Sequence, residues 1–267
     1  MVMNGCYRFY YPDPFLGTIE ELQQTLLKDD CFILDVPNGD TSDLALKASV
    51  TASSSMPLLL DPVESPSASR RFNSLEWHHS QIFPVTAREI NKLSLYIESS
   101  LEKDATINIE LMPTTDIWSF NGQGEPLSSS KVSVPRKFEG WIDFKLNLKV
   151  EPMRLYQMNV YGESGLAWAT SKPLPGVAAA IKKPTWKRWA STKLVYALRL
   201  DPPSVPFGPE NVVNGTARPE KWTNIWISDH SSTFPQKLTL DFGGEVEFNT
   251  VYLTFDTYLH TDTSEWD

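Results

Sequence analysis

Cysteine is nearly missing from this chain. Cys6 and Cys31 are the two thiols among 267 residues, which excludes a disulfide framework, a zinc knuckle and a CxxC redox pair. Both are expected reduced and partly buried. Long apolar runs are missing too: Val177 to Ile181 and Leu194 to Leu198 are the longest, far short of the ~18–20 residues that cross a bilayer. No transmembrane helix and no membrane partner are expected. Positive charge is in deficit, with 24 basic against 33 acidic side chains and a net charge of −9, so a general electrostatic grip on nucleic acid is excluded. Met1 to Tyr11 lacks the basic region and apolar core of a secretory signal. Export is not read from it, and the compartment stays open.

What is present describes a folded chain. Hydrophobic residues are 41%, charged residues 21% and aromatic residues 12%, including nine tryptophans, which is globular composition. The length suggests two units. One helix is expected early, with Thr18 and Glu21 as a capping box and Ile19, Leu22 and Leu26 on one side. A turn cluster, Pro37-Asn38-Gly39-Asp40, closes this helical segment, 1–40. Pro57 to Ser69 is too rich in proline for a central strand.

Beyond it the period becomes twofold. Leu93, Leu95 and Ile97 alternate with polar neighbours, as do Ile107, Ile109 and Leu111, then Ile142, Phe144, Leu146 and Leu148, then Tyr156, Met158 and Val160. Such strands, without helical pattern between them, predict an all-β fold: an antiparallel β-sandwich of jelly-roll type over 41–182. From Ile181 to Arg199 the composition turns basic, with Trp186 and Trp189 interleaved; this is expected to be a linker whose rings pack and whose charges are solvated. Leu238, Leu240 and Phe242, then Val251, Leu253 and Phe255, predict further strands. The segment 183–267 is too short for a whole sandwich. A second, incomplete β-sandwich is therefore expected, completed by a partner chain or by a domain that this chain does not contain.

Asn211-Val212-Val213-Asn214-Gly215, Arg218-Pro219, Asn224 through Asp229, Leu238 through Gly243 and Asn249-Thr250-Val251 together resemble the start of a discoidin-type (coagulation factor type C) galactose-binding-like domain. With Leu22-Gln23-Gln24, Asp43-Leu44-Ala45 and Val50-Thr51-Ala52-Ser53, the chain resembles the C-terminal non-catalytic region of bacterial FAD-dependent oxidoreductases over most of its length. That resemblance implies two consecutive β-sandwiches after a flavin domain. The flavin domain itself has no counterpart here: Gly122-Gln123-Gly124 has Leu127 where a dinucleotide loop needs its third glycine. FAD is expected only with that missing part, and no cofactor in this chain.

No catalytic constellation is complete. Gly162-Glu163-Ser164-Gly165 misses the G-x-S-x-G spacing of a hydrolase elbow and reads as a turn. Glu76-Trp77-His78-His79 carries groups that could ligate metal or move protons. Adjacent histidines on a strand point to opposite faces, however, so the bland expectation is a strand edge or loop with surface histidines. An enzyme using Glu76 and His78, or one needing a separate flavin subunit, stays as the rival reading. For carbohydrate, rings beside planar hydrogen-bonding groups are the natural contacts. Arg218, Trp222, Trp226 and His230 are the candidates in the second unit; their tryptophans either line a sandwich tip or fill its core. Trp77, His78 and Trp118 are the candidates in the first. The function expected is non-catalytic binding of carbohydrate or of a partner, with a purely structural module as a further alternative.

Overall fold

The computed structural model describes residues 43–63, 72–120, 124–182, 189–191, 195–216, 221–249, 251 and 253. The early helix, its closing turn, both cysteines and Arg218 lie outside these residues. Fourteen strands are described: β1 (Ser49–Ala52), β2 (Phe72–Ser74), β3 (His78–Val85), β4 (Glu89–Ser99), β5 (Ala105–Pro113), β6 (Ser128–Val134), β7 (Glu139–Lys149), β8 (Arg154–Tyr161), β9 (Leu166–Ser171), β10 (Ala178–Lys182), β11 (Trp189–Ser191), β12 (Val195–Tyr196), β13 (Leu198–Asp201) and β14 (Leu238–Asp241). Leu44–Lys47 and Pro209–Val213 form short 3-10 turns. The fold is all-β, and each strand pair described is antiparallel.

Two sheets face each other. The first runs β11-β10-β3-β8-β5-β6; the second runs β12-β9-β4-β13, with β2 beside β9 and β7 beside β4. Period-two alternation turns one side of each strand inward. On the second sheet Leu93 sits opposite Phe144 and Leu95 opposite Ile142; on the first, Ile109 sits opposite Val160 and Leu111 opposite Met158. All eight are buried in one shared core with Phe83, Trp168 and Tyr196, the arrangement of a β-sandwich.

Strand β8 departs from simple alternation, because Leu155 and Gln157 are buried as well as Tyr156 and Met158. The cause is a cover: Ile117 and Phe120, in the loop after β5, pack on the outer side of the first sheet with Ile82, Leu155, Ala178, Ala180 and Trp222. The turn from β8 to β9 needs glycine at Gly165, where φ is +97° and a Cβ would come within 2.6 Å of Leu101 Cδ2.

Pairing continues past residue 182, where the sequence places a boundary. Within the stretch expected to be a linker, β11 joins β10, β12 joins β9 and β13 joins β4. Leu238–Asp241 forms the strand expected of it, and it pairs with Ser49–Ala52 as a separate two-stranded ribbon. Val251 and Leu253, expected on a strand, belong to no ladder and are 67% and 70% exposed.

Candidate functional site

The two histidines of β3 part as strand geometry requires. His78 is exposed, whereas His79 is fully buried, so the expectation of surface histidines is wrong for His79. The reason is position: β3 is an inner strand, held between β10 and β8. The His79 ring nitrogen Nε2 lies 2.8 Å from the Ser74 carbonyl oxygen, an acceptor, so Nε2 carries the hydrogen. Nδ1 then accepts from the Tyr196 hydroxyl at 2.8 Å. Gln81 completes the set, its amide nitrogen donating to the Tyr196 carbonyl and its oxygen accepting from the Tyr196 N–H. Trp168 stacks on Tyr196 with ring centroids 4.4 Å apart. Burial first, and the neighbouring His78 charge second, push His79 down to about 4, although its bond to Ser74 works the other way. This is a buried network whose polar groups are satisfied by one another.

The outer face of the first sheet is different. There β3, β8 and β5 align polar side chains into a floor, with His78 and Ser80 on β3, Gln157, Asn159 and Tyr161 on β8, and Glu110 on β5. The Tyr161 hydroxyl donates to Glu110 Oε2 at 2.8 Å. Ser80 Oγ and Gln157 Nε2 both donate to Asn159 Oδ1, each at 2.7 Å. His78 stands edge-on to Tyr161, centroids 4.7 Å apart and planes at 82°, so the rings form an aromatic corner. Burial, then the bond to Glu110 and its charge, push the Tyr161 phenol up to about 12, which keeps it a neutral donor at physiological pH.

Beside this floor lies a shallow depression of about 430 Å³, lined by Asn108, Glu110, Ser129, Lys131 and Tyr161 among others. At the other end of β8, the Gln157 amide donates to the Phe120 carbonyl at 3.0 Å and so fixes the 114–120 loop on the same face. From Gln157 to Tyr161 is about 13 Å at 3.3 Å per residue. The loop carries Trp118, which is 54% exposed. Burial would raise the Asp116 carboxyl, but hydrogen bonds from Ser119, the Trp118 amide and Thr115 outweigh it and hold the group below its usual range. The loop bearing the exposed indole is therefore braced from within.

Of the residues predicted from sequence, His78 and Trp118 lie on this one face, and Trp77 is half-buried in the turn that leads into β3. Tyr161, Glu110, Asn159 and Asn108 were missed. Their signal was the polar half of each alternating strand, which marks a solvent face without saying which polar residues meet across strands. In the stretch expected to form a second unit, Trp222 is buried against the outer side of the first sheet and donates to Asn211 Oδ1 at 3.1 Å. Trp226, half-buried, donates to the Ser54 carbonyl at 3.0 Å, and His230 is exposed on a turn. These three are spread between packing and surface. Among the described residues no cluster of three or more His, Cys, Asp or Glu side chains could hold a metal, and no helix is long and apolar enough to cross a membrane.

No protein-family model matches the chain, and no curated protein matches it. Among solved structures it is similar to the Anabaena sensory rhodopsin transducer, at 12% identity over 38% of this chain and 95% of that one, with a TM-score of 0.22. A superposition at that score lends nothing to the fold or the site.

Proposed function

We propose that this chain is a non-catalytic carbohydrate-binding β-sandwich, an accessory region of the kind that follows the flavin domain in FAD-dependent oxidoreductases, and that sugar lies along the outer face of the first sheet. The observation that carries the reading is the meeting, on one solvent-facing floor, of an aromatic corner, a preset row of amide, hydroxyl and carboxylate groups, and an exposed tryptophan. Apolar sugar faces stack on rings while sugar hydroxyls take planar polar partners, and the internal bonds of Tyr161, Asn159 and Gln157 hold those partners in place before a ligand arrives. The discoidin-like string of residues 211–251 points to the same ligand class.

Affinity electrophoresis against a panel of soluble polysaccharides tests this. Retardation by at least one glycan is expected, together with a loss of about tenfold or more in Trp118→Ala and Tyr161→Phe at unchanged melting temperature. Absence of retardation by every glycan, or variants that bind as well as the parent, would overturn it.

A second reading, a module that docks a partner, is favoured by the β1–β14 ribbon. It carries no further strand among the described residues, and Phe234 nearby is 88% exposed. Light scattering on the eluting protein tests that reading: a monomer at all concentrations counts against it.

A further inference from the structure

Resting on the carbohydrate reading, we infer that the site favours acidic saccharides, and that their carboxylates are held by a cross-strand row with a lysine at each end. The row follows from the strand register. Lys182 of β10 lies opposite His78 of β3, His78 stands against Tyr161 of β8, Tyr161 lies opposite Asn108 of β5, and Asn108 lies opposite Lys131 of β6. It crosses five strands, so its ends are about 19 Å apart at 4.8 Å per strand, a span that an oligosaccharide can bridge and a monosaccharide cannot. Lys131 is exposed, lines the depression beside the floor and forms no ion pair among the described residues. Its ammonium is therefore open to a ligand.

The carboxylate on the floor is Glu110, and it stands outside the row. It lies opposite Ser129 and Asn159, about 6.6 Å farther along the strand at 3.3 Å per residue, and it accepts from the Tyr161 hydroxyl. A sugar carboxylate seated on the row thus meets the Lys131 ammonium at contact distance and Glu110 from a row away, and the nearer charge prevails because Coulomb energy falls with separation. The protein's net charge of −9 opposes the approach of acidic glycans from afar. At physiological ionic strength that field is screened beyond ~8 Å, so the charges of the row decide.

The test uses gluco-, galacto- and manno-oligosaccharides, each in neutral and uronic form, titrated calorimetrically into the whole protein at low and at physiological ionic strength. On the sugar frame bound best, the uronic form is expected to bind about tenfold tighter than the neutral one at low salt, the size of one ammonium–carboxylate contact at a partly hydrated site, and the advantage should shrink as salt is added. Lys131→Ala, at an exposed position, should cut the advantage about threefold or more, and Lys131→Ala combined with Lys182→Ala should abolish it. Lys145→Ala removes an exposed lysine from β7 of the other sheet and should leave the advantage intact, which separates a built row from a general charge effect. Uronic forms bound no tighter than neutral ones, an advantage unmoved by Lys131→Ala, or one reduced equally by Lys145→Ala would each overturn the inference. Failure of all the sugars to bind would instead remove the carbohydrate reading, and the inference with it.

Discussion

Acid should weaken this protein well before its carboxylates are protonated, and one side chain accounts for it. His79 is neutral in the core, with a folded pKa near 4 against 6.5 for the free side chain. Between those values the unfolded chain binds a proton that the folded chain refuses, so stability falls as pH falls through that window and is intact above pH 6.5. At about 1.4 kcal/mol per pH unit, the loss reaches about 2 kcal/mol by pH 5 and about 3 kcal/mol by pH 4. Asp116 and Asp143 act elsewhere: both carboxyls lie below the ordinary 3.8, so their contribution is retained above that value and lost as pH drops below it. Urea titrations followed by tryptophan fluorescence at pH 7, 6, 5 and 4.5 measure the slope. His79→Gln retains an N–H for the Ser74 carbonyl and an oxygen for the Tyr196 hydroxyl but cannot titrate, so its slope between pH 6.5 and 4.5 should be nearly flat. A parent protein whose stability is level over that range, or a variant with the parent's slope, would refute the reasoning.

Tyr196→Phe keeps the stack on Trp168 but leaves His79 Nδ1 buried without a donor, and should cost about 1–3 kcal/mol in urea denaturation at pH 7 with an unchanged m-value. Asn211→Ala should cost about 2–4 kcal/mol by the same assay, since the buried amide donates to the Pro206 and Ile225 carbonyls and accepts from Trp222. Phe144→Ala, fully buried between the sheets, should lose about 3–5 kcal/mol through lost contact and the cavity left behind. Purified protein should show no flavin absorption band, because no dinucleotide-binding glycine turn is present; a yellow preparation would contradict that.

The strands legible in sequence were those with one face in water. Ile107 to Leu111 and Ile142 to Leu148 alternate because their outer faces are largely solvated, and Leu93 to Ile97 because its outer face carries Ser94, which is covered and donates to Asp143, and the half-buried Tyr96. Two kinds of element were harder. Ala178–Ile181 and Val195–Leu198 carry little alternation, being short and buried on both sides, and Ser128–Val134 hides its period under serine. His79 could not be told from His78 by composition, since burial depends on β10 arriving from a hundred residues away to make β3 an inner strand. The binding face was half visible: aromatic and histidine side chains drew notice in sequence, whereas the Tyr161–Glu110 pair joins positions 51 residues apart. Only the register of β5 against β8 brings it together.

The most direct measurement is an amide NMR titration of the labelled protein with a neutral oligosaccharide that retards it. Shift changes are expected to concentrate at His78, Asn108 to Glu110, Ser129 to Lys131 and Asn159 to Tyr161, with the Trp118 indole N–H moving at the far end of the same face. Changes confined to the second sheet or to the Leu238 ribbon, with these signals unmoved, would contradict a binding site on this face.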